Sequence, residues 1–120
     1  MSLLHSRYRE DRPWGSFDRF LANETSTVKY LHVLPGHRLS LQKHALRSEW
    51  WKVVEGSGIA RIDGVEHKLS PGTELEIPVG TLHRLTGGTE GITVLEIALG
   101  TFDEEDIERF EDDYGRIPAP

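Results

Sequence analysis

The chain has 120 residues, of which 20 are acidic and 14 are basic, and its formal net charge is −6. An acidic chain without a basic patch is not expected to bind nucleic acid. The absence of cysteine excludes disulfides and thiolate metal sites and is consistent with a cytoplasmic location. The charged residues 1–11 have no apolar core, so we predict neither a signal peptide nor a membrane span.

Short segments rich in β-branched, apolar and aromatic residues recur along the chain, separated by Gly, Pro, Asn and Asp. Short strands at this even spacing predict a single all-β domain over residues 1–120. The dipeptide Asp63-Gly64 predicts the tight turn of a β-hairpin. The predicted strands are residues 27–34, 49–55, 58–62, 65–69, 74–77 and 91–99.

The acidic charge is concentrated in residues 103–113, which contain eight acids and a single base. Asp103 can serve as an N-cap before three acids that suit the positive end of a helix. Ile107 and Phe110 are three residues apart and would share one apolar stripe. We therefore predict a short helix over residues 103–112, packed outside the barrel with a solvated acidic face.

Four residues with metal-binding chemistry have a spacing that can bring them together. Alternate side chains of a strand face the same way, so Gln42 and His44 can reach one point, and Glu49 can approach it after a turn. His83 follows Pro78-x-Gly80, a turn that lets a later strand present its imidazole. Each histidine alone would more often be a hydrogen-bonded structural residue. Together they predict a divalent-metal site, because imidazole and oxygen ligands suit Zn²⁺, Fe²⁺, Mn²⁺ or Co²⁺.

This spacing resembles the two signature motifs of the cupin superfamily. Residues 36–56 contain the first motif, which has a Gly at each end, two ligands one residue apart and a Glu five residues after the second ligand. Residues 72–83 match the second motif, Gly-x5-Pro-x-Gly-x2-His. Gln42 replaces the usual first His, and Gly87 replaces the Asn that usually ends the second motif. The resemblance implies a double-stranded β-helix, or jelly-roll barrel, with one metal ion held by Gln42, His44, Glu49 and His83.

The chain is more closely similar to the type II phosphomannose isomerase domain. That domain usually forms the C-terminal part of a bifunctional enzyme with mannose-1-phosphate guanylyltransferase. Residues 12–17 (Arg-Pro-Trp-Gly-Ser-Phe) look like its opening sequence, residues 39–49 match its ligand region with Gln in the first ligand position, and residues 105–116 are similar to its closing signature. Only eleven residues precede Arg12, so we expect a standalone isomerase domain without the guanylyltransferase part.

The resemblance implies a metal-dependent isomerase that interconverts mannose 6-phosphate and fructose 6-phosphate in carbohydrate metabolism and polysaccharide biosynthesis. The metal would act as a Lewis acid on the sugar oxygens, with Zn²⁺ expected first and Co, Mn, Fe or Ni as alternatives. Arg47 and Glu49 are the expected catalytic residues. Arginine suits a phosphate group, and the candidates are Arg47, Arg109 and Arg116. The base that moves the proton between C1 and C2 stays open among His37, Glu76 and Glu96.

Four departures from the family pattern keep other functions open. Ala45, Leu46 and Trp50 stand where the family usually has histidine, and Ala98 stands where it often has glutamine. The alternatives are another metal-binding cupin enzyme, either a dioxygenase or an epimerase-like protein, and a non-catalytic sugar-binding cupin that regulates a partner. The fold alone does not decide among them. We also expect a homodimer, because small barrels with exposed strand edges commonly pair.

Overall fold

The computed structural model describes residues 3–117 and places them in nine β-strands. No helix occurs in this range, and hence none that could cross a membrane. The prediction of an all-β fold is confirmed. The strands are β1 (Tyr8–Arg12), β2 (Gly15–Arg19), β3 (Ser26–Val33), β4 (Leu41–Lys43), β5 (Arg47–Ile62), β6 (Val65–Leu69), β7 (Glu74–Ile77), β8 (His83–Gly100) and β9 (Glu108–Glu111).

The two long strands β5 and β8 form the framework of the domain. They pair antiparallel along their whole length, from Arg47 opposite Gly100 to Ile62 opposite His83. Irregularities around residues 53–58 divide the pair into two halves. One half is flanked by β3 and β7, and the other by β6, β4 and β9. Because of this division, β5 and β8 each contribute one segment to each half of the barrel.

Gly56 marks one of these irregularities rather than the predicted end of a strand. Its φ is +81°, and a Cβ at this position would collide with the carbonyl oxygen of Gly91. Glycine is therefore required for the bulge, and β5 continues beyond it to Ile62. The predicted hairpin at Asp63-Gly64 is confirmed, since both residues have positive φ and Ile62 faces Val65.

The core consists of two clusters on opposite faces of the sheet, and the main cluster extends through both halves of the β5–β8 pair. Trp51, Val53 and Val94 belong to the main cluster inside the barrel. Trp50 and Ile97 belong to a second cluster on the opposite face, which Leu4 and other residues of the N-terminal segment cover. Because neighbouring residues of a strand face opposite ways, Trp50 and Trp51 are both buried yet lie in different environments.

The predicted helix over residues 103–112 is wrong. Asp103 does cap a turn, with its carboxylate accepting the Glu105 N–H at 2.9 Å and its carbonyl accepting the Asp106 N–H at 3.0 Å. The chain then extends into β9, which pairs with β4 and places Arg109 opposite Gln42. The free edge of β4 supplies backbone partners that an isolated helix would not use, so tertiary pairing overrides local helix propensity. We call residues 101–107, between β8 and β9, the strap.

The β1–β2 hairpin forms a separate two-stranded sheet. Trp14 at its turn has 73% of its surface exposed. The Cα radius of gyration is 15.4 Å, against about 13.6 Å for a compact chain of this length. An isolated two-stranded hairpin is only marginally stable in water, so β1 and β2 would gain stability from packing against another surface.

Candidate metal centre

Three of the four predicted metal ligands converge inside the barrel. His44 follows β4, Glu49 lies near the start of β5, and His83 begins β8. All three are almost completely buried, at 3%, 2% and 1% exposure respectively. One ligand atom from each lies within 4.8 Å of the other two, and the two imidazole centroids are 5.2 Å apart. The structure thus brings together residues that are up to 39 positions apart in the sequence.

The loop between β7 and β8 and the strap fix both imidazoles. The Nδ1 atom of His83 lies 2.9 Å from the carbonyl oxygen of Thr81, and Nδ1 of His44 lies 2.6 Å from that of Asp106. A carbonyl oxygen only accepts, so each Nδ1 carries a proton and each Nε2 faces Glu49, with a free lone pair when the imidazole is neutral. A backbone hydrogen bond of this kind is the usual way to orient a metal-binding histidine.

The centre contains acceptors that face one another. His83 Nε2 lies 3.3 Å from Glu49 Oε1, and both atoms are buried without a hydrogen bond among the described residues. Oε2 of Glu49 lies 3.6 Å from His44 Nε2. Arg47 supplies positive charge beside Glu49 Oε2 and His44 Nε2, whereas Glu49 Oε1 and His83 Nε2 need a second proton on the imidazole or a bound cation between them. Two imidazole nitrogens and a carboxylate fit a divalent metal ion, although they do not determine which metal binds.

Gln42 lies at the edge of this group. It pairs across the sheet with His83, and its Nε2 lies 3.2 Å from His44 Nε2. Its Oε1 accepts a hydrogen bond of 2.6 Å from the Ser40 hydroxyl. The amide therefore presents nitrogen to His44, and it would have to turn over to offer oxygen to a metal. The role of Gln42 as a fourth ligand stays a prediction.

Arg47 contacts the same centre. Its Nε donates to Glu49 Oε2 at 3.2 Å, and one Nη lies 3.3 Å from His44 Nε2. The guanidinium also lies over the Phe102 ring, 4.4 Å from its centroid, and donates to the carbonyl of Asp103 in the strap. Arg47 thus adjoins two of the predicted ligands from a buried position.

A second carboxyl group, that of Glu96, lies beside Glu49. Glu96 accepts a 3.1 Å hydrogen bond from Trp51 Nε1, and its other oxygen lies 3.4 Å from Lys29 Nζ. Sequence reasoning missed Lys29. The signal was the alternation of β3, because Lys29 shares the inward face with Leu31 and Val33, which pack in the core. A charged residue on that face needs a buried partner, and Glu96 provides it.

The charges of this region are interdependent. Burial raises the pKa of Glu96 to about 7, and the negative charge of Glu49 adds to this effect. Burial also opposes ionisation of Glu49, but the positive charge that a protonated His83 would place 3.3 Å from its Oε1 outweighs this effect and lowers the pKa of Glu49 to about 2. Burial lowers the pKa of His44, which favours the neutral imidazole that binds metal. Glu49 is thus ionised beside a Glu96 that holds its proton more tightly.

A cavity of about 170 Å³ adjoins these groups, and basic residues from four parts of the chain line it. Lys29 contacts Glu96, Arg47 contacts Glu49, and Arg116 is bound to Asp112 through several hydrogen bonds of 2.6–3.3 Å. Arg109 differs, because its Nε is buried without a hydrogen-bond partner among the described residues. The structure therefore places all three arginines proposed for the phosphate near the cavity, and Arg109 has unused hydrogen-bonding capacity.

The three candidate bases lie in different places, and only one of them adjoins the cavity. His37 is exposed and contacts the carbonyl of Pro35. Glu76 pairs across the sheet with Trp50 and accepts the Leu3 N–H, which places it on the outer face. Only Glu96 lines the cavity.

The four departures from the family pattern also differ in whether their side chains face the barrel interior. Ala45 and Leu46 are exposed, and Trp50 packs against Phe20 in the outer cluster, with ring centroids 5.0 Å apart. None of these three side chains faces the cavity. Ala98 does share the inward face, since it pairs directly with Glu49 and is buried. Of the four departures, only Ala98 changes the immediate surroundings of a predicted ligand.

Residues 2–112 match the family model described as mannose-6-phosphate isomerase C-terminal. The chain belongs to this family. It is 40% identical over 111 residues to the alginate biosynthesis protein AlgA of Pseudomonas aeruginosa, covering 91% of this chain and 23% of AlgA. It is 38% identical over 116 residues to the mannose-1-phosphate guanylyltransferase of Escherichia coli, covering 94% of this chain and 24% of that protein. The chain therefore spans about a quarter of the length of these curated relatives.

The fold also matches solved structures. A Klebsiella pneumoniae protein with a double-stranded β-helix domain superposes with a TM-score of 0.63 at 20% identity, covering 74% of this chain and 79% of that one. The cupin double-stranded β-helix predicted from the sequence is confirmed, as is the resemblance to the isomerase domain.

Proposed function

We propose that this chain is a divalent-metal-dependent isomerase that interconverts mannose 6-phosphate and fructose 6-phosphate. The observation that carries the proposal is one buried centre, His44, Glu49 and His83, next to a cavity lined by basic residues. Family membership supports the same function. The centre suits sugar hydroxyls on a metal, and the arginines suit a phosphate.

The residues of the chain would divide the work by position. His44, Glu49 and His83 would hold the metal, with Gln42 as a fourth ligand, and the bound metal would act as a Lewis acid toward the sugar oxygens. Arg109 would bind the phosphate through its unused donors, supported by Arg116 at the cavity edge. Arg47 would orient the sugar beside Glu49. Glu96 is the proton-transfer group that the geometry offers, because it alone among the candidate bases lines the cavity.

The departures at family histidine positions do not weigh against this proposal. Trp50 packs in the outer cluster, and neither Ala45 nor Leu46 lines the cavity beside Glu96, although Ala45 and His44 line a separate cavity of about 500 Å³. Ala98 is different, because its methyl group leaves Glu49 without the amide that glutamine would place opposite it. This observation favours a second candidate, a sugar-phosphate-binding cupin that retains the metal without efficient turnover.

The proposal is tested by a coupled assay of the purified chain on mannose 6-phosphate, after metal removal and after addition of Zn²⁺, Co²⁺, Mn²⁺, Fe²⁺ or Ni²⁺. We expect turnover that depends on one of these ions and is lost in the His83→Ala variant. Saturable sugar-phosphate binding without turnover would favour the binding cupin. Oxygen uptake with iron would favour a dioxygenase.

A further inference from the structure

Asp106 in the strap makes three hydrogen bonds to the turn that carries His44. Its carbonyl oxygen accepts from His44 Nδ1 at 2.6 Å. Its carboxylate accepts the Ala45 N–H at 2.8 Å through one oxygen and the Leu46 N–H at 2.9 Å through the other. One residue thus contacts the ligand and both of the residues that follow it.

We infer that Asp106 is a positioning residue that fixes His44 in the tautomer and orientation required for metal binding. The inference deepens the proposed function, because it concerns the same metal centre. Asp106 touches neither the cavity nor the two other ligands in the described contacts. It acts through the turn, by holding the strap where its own carbonyl meets the His44 ring.

The carboxylate and the carbonyl have separate tasks in this arrangement. The Asp106 carboxylate is held in one geometry by charge-assisted hydrogen bonds from the Ala45 and Leu46 amides, and we call this pair of hydrogen bonds the clamp. The clamp sets the position of the Asp106 backbone, and the carbonyl then holds the proton on Nδ1, leaving the Nε2 lone pair toward Glu49. Without the carboxylate, the strap would still be held by turns within itself, by the Arg47 contact to the Asp103 carbonyl and by the Phe102 ring beneath Arg47 and Lys29, but none of these contacts reaches the His44 turn.

A histidine free to change tautomer loses this preorganisation. When Nε2 carries the proton, it has no lone pair for a metal, and the ring must first exchange the proton to bind. Loss of partners that orient a metal-binding histidine typically lowers metal affinity about ten- to a hundredfold. The carboxylate should therefore affect the metal even though it makes no contact with it.

Asp103 offers a matched control in the same strap. Its carboxylate also accepts a backbone N–H, that of Glu105 at 2.9 Å, and it is exposed. It makes no described side-chain contact with the His44 turn. Asp103→Ala and Asp106→Ala therefore remove the same charge from the same segment, but only the second removes the clamp.

The experiment compares wild type, Asp106→Ala, Asp106→Asn and Asp103→Ala by two measurements. The first is affinity for Zn²⁺ by chelator competition, and for Co²⁺ by its visible absorption. The second is the imidazole ¹⁵N NMR spectrum of the metal-free proteins, which distinguishes protonated from unprotonated ring nitrogens. We expect Asp106→Ala to bind metal about ten- to a hundredfold more weakly and to show a mixture of His44 tautomers. Asp106→Asn retains one amide oxygen as acceptor and should lie between it and wild type, and Asp103→Ala should stay within about twofold of wild type.

Unchanged His44 tautomer and metal affinity in a folded Asp106→Ala variant would overturn the inference. An equal loss in Asp103→Ala would overturn it as well, since the effect would then belong to the strap in general. If Asp106→Ala does not fold, Asp106→Asn decides by the same two criteria. If wild type binds neither Zn²⁺ nor Co²⁺, the proposed function fails, and the NMR comparison alone decides the role of Asp106.

Discussion

Replacing Arg109 by methionine should change stability and phosphate recognition in opposite directions. The Nε of Arg109 is buried without a hydrogen bond to any of residues 3–117, and an unsatisfied buried donor typically costs about 1–3 kcal/mol. Arg109 is only partly buried, so the lower end of this range applies. We therefore expect Arg109→Met to raise the free energy of unfolding by about 1 kcal/mol, which corresponds to about 4 °C in melting temperature. Methionine keeps most of the apolar stem that packs in the sheet.

The same variant should lose the preference for a phosphorylated sugar. A hydrogen bond to a charged group contributes about 1.5–3 kcal/mol, so the Kd for mannose 6-phosphate should rise roughly ten- to a hundredfold. The Kd for unphosphorylated mannose should not change. Isothermal titration calorimetry with both sugars and thermal unfolding without sugar measure the two effects. Arg61→Met is the control, because Arg61 is exposed and does not line the cavity. Equal effects on both sugars, or a lower melting temperature, would refute the reasoning.

Three further predictions concern the metal, the outer core and the assembly. Zn²⁺ at a hundred times its Kd should stabilise wild type by about 2.7 kcal/mol in a thermal melt, reversibly with EDTA, and should have no such effect on His83→Ala. Trp50→His restores the residue usual in the family, but it should not raise turnover in the coupled assay, because Trp50 packs in the outer cluster. Loss of this packing should lower the free energy of unfolding by about 3 kcal/mol in a urea titration. We propose that the chain forms a homodimer in which the partner covers the exposed Trp14 of the β1–β2 hairpin. The Trp14→Ser variant should then sediment more as the 13.6 kDa monomer than wild type does. A wild type that sediments only as monomer would contradict this proposal.

Local patterns identified most of the fold. The short segments that form β6 and β7, bounded by Gly, Pro and Asp, and the Asp63-Gly64 turn act over a few residues, so they can be recognised without knowing the partner strand. The continuity of β5 through Gly56 could not be recognised in this way. Glycine after an apolar run indicates the end of a strand as readily as a bulge. Only the close approach of the Gly91 carbonyl, 35 positions later in the chain, distinguishes the two.

The residues of the candidate site could be predicted where alternation within a single strand, or the family spacing, placed them together. Gln42 and His44 share a face by alternation, and the family spacing added Glu49 and His83. Lys29 and Glu96 were harder, because each looks like an ordinary strand residue until the register places them opposite each other. The helix prediction failed for a related reason. Its capping signals were correct for the turn at Asp103, but the free edge of β4 lies 60 residues earlier in the sequence.

The acidic tail has a structural role that its charge alone did not reveal. Asp113 binds Arg38 through two hydrogen bonds of 2.7 and 2.9 Å, and Glu111 binds Arg84 at 2.8 Å. These partners lie on or next to the barrel, so ion pairs attach the tail across β4 although most of its acids remain exposed to solvent. Such pairs are individually weak where exposed, but Arg84 is buried and also donates to the Leu39 carbonyl. Because the tail's acids bind cations of the barrel, its single base in residues 103–113, Arg109, is held in register opposite Gln42 and remains available to the cavity.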